Sequence, residues 1–199
     1  MSIFARALVV LSLLCATALG EEPEVVTFKD SLGAIEVGMP SFGAELTQSE
    51  RVLAPKVVTE LRFVSKEGPA AVLVSTKIRA ELPKDDRVLD RLEPKYQSFK
   101  AEHQGHVLLE FRGQSPARTL EFAVSGGEYQ EAFPYVVGGH IGLDDPPKSV
   151  TISQFFVTSD RLFEVAIYLP NPDKSSQAEL FTRARKVCDD WRATIAVKR

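Results

Sequence analysis

The sequence predicts an α+β domain in which an antiparallel β-sheet is flanked by helices. Three observations carry this reading. Runs of alternating apolar and polar residues come in pairs separated by turn-forming segments. Two other segments repeat apolar residues every three or four positions. No repeat, linker or low-complexity tract divides the chain. Setting aside an amino-terminal leader of 20 residues leaves 179 of 199, enough for one domain that buries most of its apolar surface.

Residues 1–20 have the pattern of a cleavable export signal. Arg6 precedes a short apolar run over 7–14, far below the ~20 apolar residues of a spanning helix. Small residues at Ala16, Thr17, Ala18 and Gly20 allow cleavage after Ala18 or Gly20, with Gly20 favoured because the acidic Glu21 and Glu22 follow it. Cys15 would be a lipidation site only if a small residue preceded it, and Leu14 does not fit. The expected product is a single domain over 21–199, free in a periplasm or outside the cell and without a membrane span.

The two runs over 25–29 and 34–37 flank Asp30, Ser31, Leu32 and Gly33, whose turn chemistry predicts a hairpin. Pro40, Gly43 and Pro55 punctuate residues 38–55, which read as an irregular loop. Over 57–66, Val57, Thr59, Leu61 and Phe63 alternate with Val58, Glu60, Arg62 and Val64. Val72, Val74, Thr76 and Ile78 continue the alternation over 71–79, predicting a second hairpin with one apolar face. The period changes over 85–104, where Leu92, Tyr96, Phe99 and His103 share a helical face and Pro94 starts or kinks the helix. Strands are predicted over 107–112 and 119–124, and the long excursion over 125–148 holds at most one short strand. A closing hairpin over 150–158 and 162–169 ends at Pro170, Asn171 and Pro172. The last helix follows, with Phe181, Ala184, Cys188, Trp191 and Ile195 on one stripe that should pack on the sheet.

The order of these elements, the closing hairpin with Gln154, Phe155, Phe156 and Val157 leading to Arg161, Leu162, Phe163, Glu164 and Val165, and the helix carrying Trp191 resemble the Mog1/PsbP-like proteins. That resemblance implies an α/β/α sandwich and a non-catalytic interaction module with a protein partner. It carries over no catalytic residue, because the group has no shared active site.

Composition narrows the chemistry. The chain has 24 Lys and Arg against 27 Asp and Glu, and loss of Arg6 with the leader leaves 23 against 27, a net charge of −4. Such a balance implies neither a nucleic-acid footprint nor a polybasic membrane patch. Cys188 is the one cysteine after the leader, so an intrachain disulfide is excluded, and Pro172 after Asn171 removes the one candidate glycosylation acceptor.

No cofactor is implied. His103, His106 and His140 could hold zinc with Glu102, Asp144 or Asp145 as a further ligand, which would make a metal-dependent enzyme. Gly105 separates the first two histidines and turns them apart, and His103 lies on the apolar helical face, so core and surface roles are expected instead. Cys188 falls on the apolar stripe and reads as a small buried residue. Ser41 lacks the glycine spacing of a nucleophile elbow, and Gly138, Gly139 and Gly142 lack that of a phosphate loop. Asp144 and Asp145 before two prolines read as a solvated turn, and Phe155 and Phe156 must place their rings on opposite sheet faces. The sequence therefore points to an exported binding or assembly module that uses the 125–148 excursion, with a small-ligand carrier as a further alternative.

Overall fold

The structure, a computed structural model, describes residues 24–30, 33–43, 45–53, 56–66, 68–103, 105–126, 146–158 and 160–198. The alternating runs pair as antiparallel ladders. β1 (Val25–Asp30) and β2 (Gly33–Gly38) form the first hairpin. β3 (Glu45–Leu53), β4 (Lys56–Val64) and β5 (Ala70–Lys77) follow. Later in the chain come β6 (Val107–Arg112), β7 (Thr119–Ser125), β8 (Ser149–Thr158) and β9 (Arg161–Pro170). These last seven strands make one antiparallel sheet in the order β3-β4-β5-β9-β8-β7-β6. A three-residue strand, β10 (Ala196–Lys198), joins the first hairpin in a second sheet, β1-β2-β10.

The period-2 alternation sorts side chains onto two faces of the large sheet. On one face Leu61, Phe63, Leu73, Ile152, Val165 and Ile167 meet Leu180, Ala184, Cys188 and Trp191 of the carboxy-terminal helix. Ile35 and Val37 of β2 complete this cluster, so the small sheet extends the layer that the helix begins. On the other face Leu109, Leu120, Phe122 and Phe155 pack under Val88, Leu89, Tyr96 and Phe99 of the mid-chain helical segment. Each such buried side chain stabilises the fold by ~2 kcal/mol before ordering costs.

Local chemistry shapes the helices. The mid-chain segment divides into a 3-10 turn over Asp86–Arg91 and helix α1 (Glu93–Glu102), with Leu92 as the hinge between them. Pro94 explains the division. Its ring supplies no N–H, which a first-turn position does not need and an interior one does. Helix α2 (Gln177–Arg192) starts in a capping box: the Ser176 hydroxyl accepts from the Glu179 N–H, and the Glu179 carboxylate accepts from the Ser176 N–H at 3.0 Å.

The irregular loop expected over 38–55 is corrected. A turn at Pro40, where the Gly43 N–H reaches the Pro40 carbonyl at 3.2 Å, leads into β3. β3 is the edge of the large sheet, and its backbone pairs with β4 from Glu45↔Val64 to Leu53↔Lys56. The segment ELTQSERVL has little apolar alternation in its sequence, and it is the ladder with β4 that marks it as a strand. The expectation for the two adjacent phenylalanines holds. Phe155 packs against Tyr96 with ring centroids 5.4 Å apart, while Phe156 stacks on Phe163 at 5.2 Å and has the Arg192 guanidinium 4.4 Å from its centroid.

Candidate functional site

A cleft opens where β5 leaves the sheet. Beyond Lys77 the chain keeps one more sheet contact, the Ile78 N–H to the Asp160 carbonyl at 2.6 Å, and then crosses over the sheet to the 3-10 turn. That turn is fixed from three sides. Asp85 caps it, accepting from the Arg87 N–H at 3.1 Å. Asp86 is buried and takes a hydrogen bond from the Ser115 hydroxyl at 3.0 Å, with the Arg118 guanidinium 3.2 Å away. Arg118 also pairs with Asp90 and lies 4.1 Å above the Phe111 ring.

Between the anchored turn and the sheet lies a volume of about 400 Å³, within the range of small-molecule sites. Thr76 and Leu162 contribute from the sheet, Val88 and Leu92 from the helical layer, and Ile78 and Leu82 from the connecting segment. Lys77, Arg79 and Arg91 bring positive charge to its walls, against the single acid Glu81. Arg79 and Glu81 approach to 3.9 Å and both stay exposed, a contact that solvent screens.

On the opposite face, charged groups are used up in structure. Glu121 of β7 is fully buried and accepts from Arg112 at 2.8 Å, Gln154 at 3.0 Å and Arg185 at 2.7 Å. Arg112 also grips Asp189 of α2 with two bonds of 3.0 Å. These bonds to Asp189, with that to Glu121, hold the Arg112 guanidinium above its ordinary pKa. Burial pushes Asp189 up, but the bonds from Arg112 and Gln154 outweigh it and leave the carboxyl below its usual range. This network ties β6, β7 and β8 to α2 and offers no free acid or base.

Glu164 of β9 is different. It lies on the α1 face of the sheet, opposite Val74 and Phe155 in the ladders, with one carboxyl oxygen lacking a hydrogen-bond partner. Burial drives its pKa up to about 8, aided by Glu60, while the Ser153 hydroxyl and the Lys95 charge pull the other way.

The histidines take up local roles. His103 ends α1, its ring stacked on Phe99 at 4.4 Å and its Nδ1 3.0 Å from the Phe99 carbonyl, which makes that nitrogen the protonated one. His106 turns to the Ser125 hydroxyl, 3.4 Å from its Nδ1. His140, Asp144 and Asp145, with Gly138, Gly139 and Gly142, lie outside the described residues. Among the described residues, no three or more His, Cys, Asp or Glu side chains gather in a metal-binding arrangement. The Cys188 thiol is buried 3.7 Å from the Val165 carbonyl, and burial raises its pKa well above the ordinary value. Ser41 sits exposed in the turn before β3. No described helix is long and apolar enough to cross a membrane.

The cleft escaped the sequence reading. Its residues come from a strand end, a connecting segment, the 3-10 turn and β9, with no shared spacing. The one available signal was Lys77 and Arg79 at the end of an otherwise apolar strand run.

One antiparallel sheet, covered by α2 on one face and by the 3-10 turn and α1 on the other, makes this chain an α+β sandwich. It is similar to the solution structure of cyanobacterial PsbP (CyanoP) from Synechocystis sp. PCC 6803, with a TM-score of 0.50 and 9% identity over 92% of this chain and 98% of that one. The resemblance read from the closing hairpin and the Trp191 helix is thus borne out as a likeness of fold. No family model and no curated protein matches the sequence.

Proposed function

We propose that this protein is an exported, non-catalytic binding module that assembles with a protein partner. One observation carries the reading: the long 125–148 excursion is rooted at both ends in an otherwise regular sheet, while Glu121, Asp189, the described imidazoles and the Cys188 thiol make structural contacts. The PsbP-like fold agrees with this but assigns no partner.

Export is tested by sequencing the amino terminus of the protein recovered from its own cells. The expected first residue is Glu21, or Leu19 if the cut falls after Ala18; a lipidated Cys15 would replace free export by anchoring. The contact surface is expected to include the excursion. The segment 127–145 lies outside the described residues, but its ends are tied to the sheet: the Gly126 N–H reaches the Ser149 carbonyl at 2.7 Å, and the Asn171 N–H reaches that of Lys148 at 2.8 Å. Deleting 127–142 should therefore leave a folded domain that no longer co-purifies with its partner after cross-linking in the exported fraction. Unaltered co-purification would remove the excursion from the interface, and the absence of any stoichiometric companion of the intact chain would remove the assembly reading.

A second reading, a small-ligand carrier, is favoured by the cleft itself, which lies between a helical layer and the sheet and stands at the other end of β8 from the roots of the excursion.

A further inference from the structure

We infer that the cleft between the 3-10 turn and the ends of β5 and β9 binds an aliphatic carboxylate of medium chain length, an inference that rests on the carrier reading. Size, wall chemistry and charge converge on this class. The volume, about 400 Å³, accommodates a small amphiphile and not a folded domain. Its apolar wall is wholly aliphatic, so it offers a flexible chain a surface while giving an aromatic ring no stacking partner. Leu82, Leu92 and Leu162 are only partly covered by the neighbouring core, and a hydrocarbon tail laid along them removes that surface from water.

The charge pattern sets the head group. Lys77, Arg79 and Arg91 outnumber Glu81, and among the described residues Glu81 is the one acid with an ion pair to any of the three. A carboxylate at the mouth completes this set, and a guanidinium fork matches its two oxygens. A cationic amphiphile of the same length meets like charge and is excluded.

Methyl NMR of the full chain with sodium decanoate, decanol and decyltrimethylammonium tests the inference. Decanoate below its micellar concentration should give saturable shifts at the methyls of Ile78, Leu82, Val88, Leu92 and Leu162, and the ammonium compound none. Replacing Arg79 and Arg91 together by glutamine should weaken decanoate by about fivefold or more and leave decanol unchanged. Both side chains are exposed, so an unaltered melting temperature should show that the variant is folded. Shifts confined to other methyls, no saturable shift, or equal decanoate affinity in wild type and variant would overturn the assignment. Native mass spectrometry of protein from its own source separates this failure from that of the carrier reading. A co-purifying small molecule that decanoate does not displace keeps the carrier and discards this ligand class.

Discussion

Glu164 shows how a single side chain links the sheet register to solution behaviour. Its folded pKa of about 8 stands above the ordinary 4.5, so between those values the folded chain keeps a proton that the unfolded chain has lost. Stability must therefore fall as pH rises through that window and level off beyond it. Glu164→Gln should flatten this dependence and raise stability at alkaline pH by on the order of 3 kcal/mol, as chemical denaturation at several pH values will show. A pH dependence unchanged by the substitution would contradict the placement. Cys188 carries a second residue-scale prediction. With no exposed surface and a raised pKa, its thiol should resist alkylation in native protein and react once denatured, read by mass spectrometry of its peptide. The core role of Cys188 was legible from the apolar stripe. The burial of Glu164 was not, because only pairing with Val74 and Phe155 reveals what surrounds it.

At the scale of elements, periodicity told most where an alternating or three-and-four spacing of apolar residues runs the length of a segment. The hairpin of β4 and β5, the closing hairpin and α2 all announce themselves in this way. β3 does not, since an edge strand of mostly polar residues is specified by its neighbour's backbone, and three-residue β10 is too short to show a period. The union of α2 with the sheet depends on the polar network as well as on apolar packing. Glu121→Ala would leave Gln154 and two guanidiniums without their shared acceptor and should destabilise the fold by about 3 kcal/mol in urea melts. A loss within error of zero would mean that Asp189 and Glu110, which already pair with Arg112 and Arg185, can replace it.

At the scale of the molecule, the two sheets and α2 meet at Gly38. Its N–H donates to the Thr194 hydroxyl at 2.9 Å and its carbonyl accepts from the Trp191 indole at 2.8 Å, while the Trp191 ring meets Phe63 edge-on at 5.4 Å. A Cβ at this position would stand 3.0 Å from the Thr194 side chain. Gly38→Ala should therefore push α2 and β2 apart at a cost of about 2 kcal/mol, measurable as a lower melting temperature with the fold retained. An unshifted melting temperature would show that Thr194, at the exposed end of the helix, gives way freely.

The sequence by itself determined the α+β class, the main hairpins, the break at Pro94 and the buried stripe of α2. Each follows from local rules, in which apolar period, turn chemistry and a missing N–H act over a few residues. Only the tertiary structure decided that Gly33–Gly38 pairs with Ala196–Lys198, that Glu45–Leu53 becomes an edge strand, and that Glu121 and Glu164 are buried. The cleft belongs with these. Its walls join residues from 76 to 162, and no local rule records which distant side chains a folded sheet and a crossing helical turn will bring together.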